Sequence, residues 1–189
     1  MSVIDGIDYG PLAALVGTWE GVKGMDIAPE PDDKVEENPY FETITYTAGG
    51  DVTNAESQVL SIVHYRQFVS RKSNNEVFHD ETGYWLWDPR EEVVMHCLVI
   101  PRAVCLIAGA KYVEQRTEDG SLIIEVEAGV DNPDWGIVQS PFMQKNGRTL
   151  AFNQKITVGN GKMVYHQNTK LDIYGREFDH TDDSELTLK

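Results

Sequence analysis

The fold of this 189-residue chain is decided by the stretch QVLSIVHYRQFV, residues 58–69. Its side chains alternate with a period of two, which places Val63 and Tyr65 on one face and Phe68 on the other. A period of two is typical of a β-strand. Because both faces carry apolar groups, we expect one face to meet a cavity and the other to meet a helix or a partner.

The same period recurs along most of the chain and predicts a series of short strands. Turn-forming sequences such as Asp119-Gly120 and Gly159-Asn160-Gly161 separate them. Residues 18–21 begin the first predicted strand, and the others are 40–47, 58–69, 76–87, 92–99, 103–109, 111–117, 121–128, 136–143, 148–157, 162–172 and 177–188.

These features predict an all-β fold, an antiparallel up-and-down β-barrel of about ten strands, because closure removes the unpaired edges of a meander. Residues 9–16 predict a short N-terminal helix that plugs one end, with Pro11 at its start and Gly17 after its last residue. Residues 25–39 are rich in Pro, Asp and Glu and predict a loop. At this length we expect a single β-barrel domain over residues 1–189.

Composition excludes several classes of function. The net charge of −15 argues against binding nucleic acid or an anionic membrane, since both need a basic surface. No apolar run is long enough to span a membrane, and the N-terminus lacks a secretory signal, so a cytoplasmic location is expected. In that compartment Cys97 and Cys105 are expected to be reduced, buried thiols, and their surroundings do not match a zinc site.

Two histidines have neighbours that suggest a ligand site. His79 shares a strand face with Glu81, Gly83 and Trp85, and a glycine within a strand often marks the close approach of a ligand or of another backbone. His180 lies in an acidic stretch, residues 177–183, where Asp179 or Asp182 would hydrogen-bond the imidazole and raise its basicity.

Each of these features also has an explanation that requires no bound ligand. His79 is also compatible with a polar residue at the start of a strand, and His180 with a turn between the last two strands. Aromatic residues such as Trp19 suit an apolar ligand pocket, but they serve equally well as barrel core. The motifs of serine hydrolases, phosphate-binding loops and zinc proteases are absent from the sequence.

Taken together, these segments resemble the nitrobindin family of haem-binding β-barrels. Residues 15–21, LVGTWEG, are similar to the family's opening Gly-x-Trp-x-Gly-x-Gly motif, although the last glycine, Gly24, is displaced by one residue. Residues 78–84, FHDETGY, are similar to its His-x-Glu-x-Gly-Tyr/Phe strand, and residues 100–109 to the strand pair that follows. The C-terminal match departs from the family pattern His-Leu-x-Ala-x-Leu, because acidic residues follow His180.

The resemblance implies a haem b in the barrel, with His180 as the proximal iron ligand and His79 on the distal side. Trp19 and Gly83 are further candidates for contact with the cofactor. The implied activity, if the protein is an enzyme, is conversion of peroxynitrite to nitrate at a ferric haem, in the manner of a peroxynitrite isomerase. Reversible binding of nitric oxide is the other implied reaction.

Two other functions stay open at this level. The first is a non-catalytic carrier of a fatty acid or another small apolar ligand, whose carboxylate Arg66, Arg102 or Tyr65 would hold. The second is a barrel that binds no ligand and acts through protein partners. A homodimer is compatible with each of these functions.

Overall fold

A computed structural model describes residues 2–189, and most of the period-two segments form strands in it. The helical elements are a 3-10 turn, Gly10–Ala14, and a short α-helix, α1, Pro141–Asn146. The strands are β1 (Val3–Ile4), β2 (Ile7–Asp8), β3 (Gly17–Pro29), β4 (Val35–Asn54), β5 (Gln58–Arg71), β6 (Val77–Asp88), β7 (Val93–Ile100), β8 (Val104–Lys111), β9 (Gln115–Arg116), β10 (Leu122–Gly129), β11 (Ile137–Gln139), β12 (Gly147–Gly159), β13 (Lys162–Ile173) and β14 (Arg176–Leu188).

Ten of these strands form a closed antiparallel barrel, as the sequence predicts. Strands β3 to β8 pair in chain order, and β10, β12, β13 and β14 continue the circuit back to β3. The barrel closes where Glu127 of β10 pairs with Gly109 of β8. Each strand of the barrel therefore pairs with the barrel strands that precede and follow it along the chain, which is the up-and-down arrangement.

The N-terminal segment differs from the prediction, because it forms a 3-10 turn and not an α-helix. Only six residues lie between Gly10 and Gly17, which are too few for a stable α-helix. The turn still packs on the end of the barrel, since Leu12 and Leu15 are fully buried. A Cβ on Gly10 would lie 2.5 Å from the Trp87 ring, so only glycine permits this contact.

Three other predicted boundaries are wrong. Strands β3 and β4 continue through most of 25–39, because Asp26 pairs with Asn38 across the hairpin. The predicted strand at 136–143 stops at Gln139, and α1 follows with Ser140 as its N-cap. The predicted strand at 111–117 is reduced to β9, since β8 itself continues to Lys111.

A β-bulge in β3 absorbs the extra residue of the opening motif. The pairing of β3 with β4 shifts between Gly21 and Gly24. Trp19 and Gly21 are buried before the bulge, whereas Gly24 and Asp26 are buried after it. The bulge therefore changes which residues of β3 face the barrel interior, from odd to even numbers.

The barrel interior next to the 3-10 turn is filled with aromatic and aliphatic side chains. Trp85, Leu98, Ile156 and Met163 are each no more than 1% exposed, so they leave little room for an apolar ligand among them. Within residues 2–189, no helix combines the length and the apolar character that crossing a membrane would require.

Candidate functional site

The two predicted histidines lie at the same end of the barrel. This end, which we call the barrel mouth, is opposite the 3-10 turn and lies where β6 and β14 begin. Along β6 the residues that alternate with His79, beginning with Glu81, are buried, and along β14 Ser184 and Leu186 are buried in phase with His180. The side chains of His79 and His180 are 24% and 28% exposed, respectively, so both face the interior but remain accessible.

His180 is held by a buried carboxylate. Its Nε2 lies 2.5 Å from Oδ1 of Asp26 on the neighbouring strand β3, and Oδ2 of Asp182 is 3.9 Å away. Asn38 of β4 donates a 2.8 Å hydrogen bond from Nδ2 to Oδ2 of Asp26. Asp26, His180 and Asp182 offer ligand atoms that all lie within 4.8 Å of one another.

The carboxylates at the mouth change the protonation of His180. Burial lowers the pKa of His180, but the hydrogen bond to Asp26 and the charges of Asp182 and Asp26 outweigh burial, so the pKa is raised. Burial raises the pKa of Asp182 to about 6, and the charge of His180 only partly offsets this effect. A metal ion that binds His180 therefore competes with a proton for the imidazole.

His79 begins a chain of one ion pair and two hydrogen bonds that runs into the core. Its Nε2 is 3.4 Å from Oε2 of Glu81. The Tyr65 hydroxyl lies 2.5 Å from Oε1 of Glu81 and 2.8 Å from Nε2 of His96. His96 in turn stacks on Trp85, with the ring centroids 4.1 Å apart.

Burial affects the two histidines of this chain differently. It lowers the pKa of His79, but the hydrogen bond and charge of Glu81 raise it further, so the net pKa is raised. Burial lowers the pKa of His96 to about 4, which keeps that imidazole neutral. The chain therefore joins a histidine at the mouth whose protonated form is favoured to a neutral histidine in the core.

His79 and His180 share one electrostatic environment. The charge of Asp182 raises the pKa of both histidines, and the charge of Arg102 lowers both. Arg102 follows the end of β7 and donates a 3.4 Å hydrogen bond to the Phe78 carbonyl oxygen beside His79. Asp182 and Arg102 thus act on both imidazoles, as expected if the two imidazoles face a common space.

A second polar cluster lies deeper in the barrel and is not suggested by the sequence motifs. The Tyr165 hydroxyl donates a 2.9 Å hydrogen bond to Oε2 of Glu42, and Nε2 of Gln67 donates one of 2.8 Å to the same oxygen. The Tyr40 hydroxyl lies 2.7 Å from the Tyr165 hydroxyl. Oε1 of Glu42 is buried without a hydrogen bond, and burial raises the pKa of this carboxyl to about 7.

Two residues that were candidates for contact with the cofactor, Trp19 and Gly83, make other contacts in the structure. Trp19 donates a 2.6 Å hydrogen bond from Nε1 to the Leu15 carbonyl oxygen, at the end of the barrel opposite the mouth. Gly83 allows the close approach of another backbone, because a Cβ there would lie 1.9 Å from the carbonyl oxygen of Cys97 on β7. The structure therefore does not bring Trp19 to His180, and it supplies a packing reason for Gly83.

The carboxylate that binds His180 is also not the one suggested by the sequence. Asp179 accepts a hydrogen bond from Asn168 instead, and Asp182 is more distant from the ring than Asp26. Asp26 is 154 residues from His180 in sequence. Only the pairing of β14 with β3 brings the two together, and no local motif signals that pairing.

A separate groove of about 540 Å³ lies on the outer wall of the barrel over β6, β7 and β8. Its lining includes Cys97 and Cys105, which are both free and partly buried. The sequence predicts buried thiols, whereas neither cysteine is fully buried. None of the mouth residues lines this groove.

Comparison with known proteins identifies the class of barrel. Residues 8–187 match the family described as THAP4-like, heme-binding beta-barrel domain. The chain therefore belongs to this family of haem-binding barrels, the nitrobindin family that its motifs indicate.

One solved relative shows the same architecture. The crystal structure of Rv2717c from M. tuberculosis matches with a TM-score of 0.64, covering 95% of this chain and 97% of that chain. The two sequences are 18% identical, so the likeness concerns the fold alone. Among curated proteins, none matches the sequence.

Proposed function

We propose that the barrel mouth binds haem b, with His180 as the iron ligand and His79 on the other side of the cofactor. The observation that carries the proposal is the arrangement of two accessible imidazoles at the same end of the barrel, one of them held by a buried carboxylate. Membership of a haem-binding family supports the same conclusion.

The side chains at the mouth fit this cofactor. A metal-ligating histidine usually binds the metal through one ring nitrogen and donates a hydrogen bond to a carboxylate from the other. His180 has one nitrogen on Asp26, and its other nitrogen has no hydrogen-bond partner within residues 2–189. Arg102 supplies a positive charge at the mouth that would pair with a haem propionate.

The proposed reaction is conversion of peroxynitrite to nitrate, with nitric oxide binding as the simpler alternative. When bound, ferric haem supplies a Lewis acid for the oxygen atoms of peroxynitrite. The raised pKa of His79 favours the protonated imidazole, which would donate a hydrogen bond to an anionic substrate. Glu81 holds the His79 ring in place, and the packed core below excludes water from the inner side of the site.

Titration with hemin tests the proposal. The purified protein should bind hemin saturably, develop a Soret band and lose tryptophan fluorescence. The His180→Ala variant should lose or shift the Soret band, whereas His79→Ala should retain the haem and change its response to nitric oxide. Identical spectra for His180→Ala and the parent would refute ligation by His180, and a parent without a Soret band would refute haem binding.

The carrier function receives less support from the structure. Arg66 lies outside the barrel in an ion pair with Asp80, and the Tyr65 hydroxyl is already bonded to Glu81 and His96. Of the three proposed head-group ligands, only Arg102 lies near the mouth. A cytoplasmic location, a homodimer and a single domain over residues 1–189 stay predictions from the sequence.

A further inference from the structure

We infer that Asp26 is a positioning residue for the haem ligand His180, and that the Asp26–His180 pair favours the ferric over the ferrous state of the bound iron. The inference rests on the proposed function. It assigns a role to a carboxylate that lies in neither of the two histidine segments.

Both carboxylate oxygens of Asp26 are held by neighbouring side chains. Three adjacent strands place His180, Asp26 and Asn38 side by side, because Asp26 is paired with Asp182 of β14 on one side and with Asn38 of β4 on the other. Asp26 Oδ1 contacts His180, and Asp26 Oδ2 accepts from Asn38. Arg71 then donates a 3.2 Å hydrogen bond from Nε to Oδ1 of Asn38. The carboxylate is thus fixed through both of its oxygens.

Burial makes this contact strong. Asp26 is 4% exposed and Asn38 is 7% exposed, so water cannot easily replace the hydrogen bond to His180. The bulge between Gly21 and Gly24 provides the inward orientation of Asp26, because it reverses which side of β3 faces the interior. Without that extra residue, the side chain at position 26 would face outward.

The chemical consequence follows from the hydrogen bond. An imidazole that donates one N–H to a carboxylate becomes a stronger electron donor through its other nitrogen. Hydrogen bonding to an axial ligand is one of the means by which a protein sets the potential of a haem. Stronger donation stabilises the more highly charged ferric ion, so the pair should lower the Fe(III)/Fe(II) potential.

The test compares Asp26→Asn with Asp182→Asn in the hemin-loaded protein. Both substitutions remove a negative charge near His180, but only the first replaces its hydrogen-bonded carboxylate. Asp26→Asn should weaken hemin binding by about 10–100-fold, raise the midpoint potential and lower the iron–histidine stretching frequency in the resonance Raman spectrum of the ferrous form. Asp182→Asn should raise the potential through charge alone and leave the stretching frequency unchanged.

The outcomes separate this inference from the proposed function. Parent protein without a Soret band refutes both. Parent protein that binds haem, with the same stretching frequency in Asp26→Asn, refutes only the role of Asp26. If Asp26→Asn does not fold or load, Asn38→Ala decides the matter, because it frees one oxygen of Asp26 and leaves His180 intact. A changed stretching frequency in Asn38→Ala supports the role, because the Asn38 hydrogen bond acts on His180 only through Asp26, and an unchanged frequency refutes it.

Discussion

Replacing Glu42 by glutamine should stabilise the protein at pH 8 and have much less effect at pH 5. Glu42 is 3% exposed, and its Oε1 has no hydrogen-bond partner in the described structure. Glutamine keeps the shape of the side chain and an oxygen that can accept from Tyr165 and Gln67. Its amide nitrogen would replace Oε1 near the Ser184 hydroxyl, whose oxygen is also without a partner.

The magnitude follows from the pKa of this carboxyl, which burial raises from 4.5 to about 7. Between these two pH values the folded state binds more protons than the unfolded state, so the stability falls as the pH rises. From pH 4.5 to about pH 7 the ionisation of Glu42 lowers the free energy of unfolding by about 3 kcal/mol, because each pKa unit corresponds to about 1.4 kcal/mol. Glutamine does not titrate, and the variant should therefore lack this loss.

Urea denaturation of the apoprotein between pH 5 and pH 8 measures the effect. The difference in unfolding free energy between the Glu42→Gln variant and the parent should grow across this range, because the other groups titrate in both proteins. Glu118→Gln, at an exposed position, is the matched control and should show no such growth. A difference that is the same at pH 5 and pH 8 would show that Glu42 has an ordinary pKa and would refute the argument.

Two further substitutions test the packing of the barrel. Leu12→Ala should cost about 2–5 kcal/mol, because this leucine of the 3-10 turn is fully buried in the core; a melting temperature equal to that of the parent would show that the turn does not close the barrel. Tyr65→Phe should cost about 1–3 kcal/mol, because it leaves Glu81 and His96 without the hydroxyl between them. Urea denaturation measures this loss, and a variant as stable as the parent would show that the hydroxyl contributes no net stability.

The barrel could be predicted because the alternating pattern that defines each strand lies within that strand's own sequence. A strand with one face in the core alternates in its own sequence, as residues 58–69 do, and turn residues mark where each strand ends. Strand order then follows from the preference of neighbouring strands to pair. The same reasoning failed for residues 25–39, where acidic and proline residues suggested a loop but the pairing of Asp26 with Asn38 extends both strands.

The alternating pattern also fails to predict the helix α1, but for a different reason. Phe142 and Met143 continue the apolar character of β11 and suggest a longer strand. The sequence nevertheless contains a helix signal, because Ser140 precedes Pro141 in the order typical of an N-cap and a first helical residue. In the structure Ser140 Oγ accepts a 3.3 Å hydrogen bond from the Met143 backbone nitrogen, as such a cap requires.

At the candidate site, each histidine was identifiable from its own segment, but the partner of His180 was not. The sequence contains two departures from the family pattern, the displaced Gly24 in β3 and the acidic residues after His180 in β14. The structure connects them, because the extra residue before Gly24 turns Asp26 inward at the point where β3 meets β14. The acidic Asp182 then lies beside a second carboxylate, and burial and this neighbour raise its pKa to about 6. The charge of His180 partly offsets this repulsion, so we interpret the two departures as one compensated change in the barrel mouth.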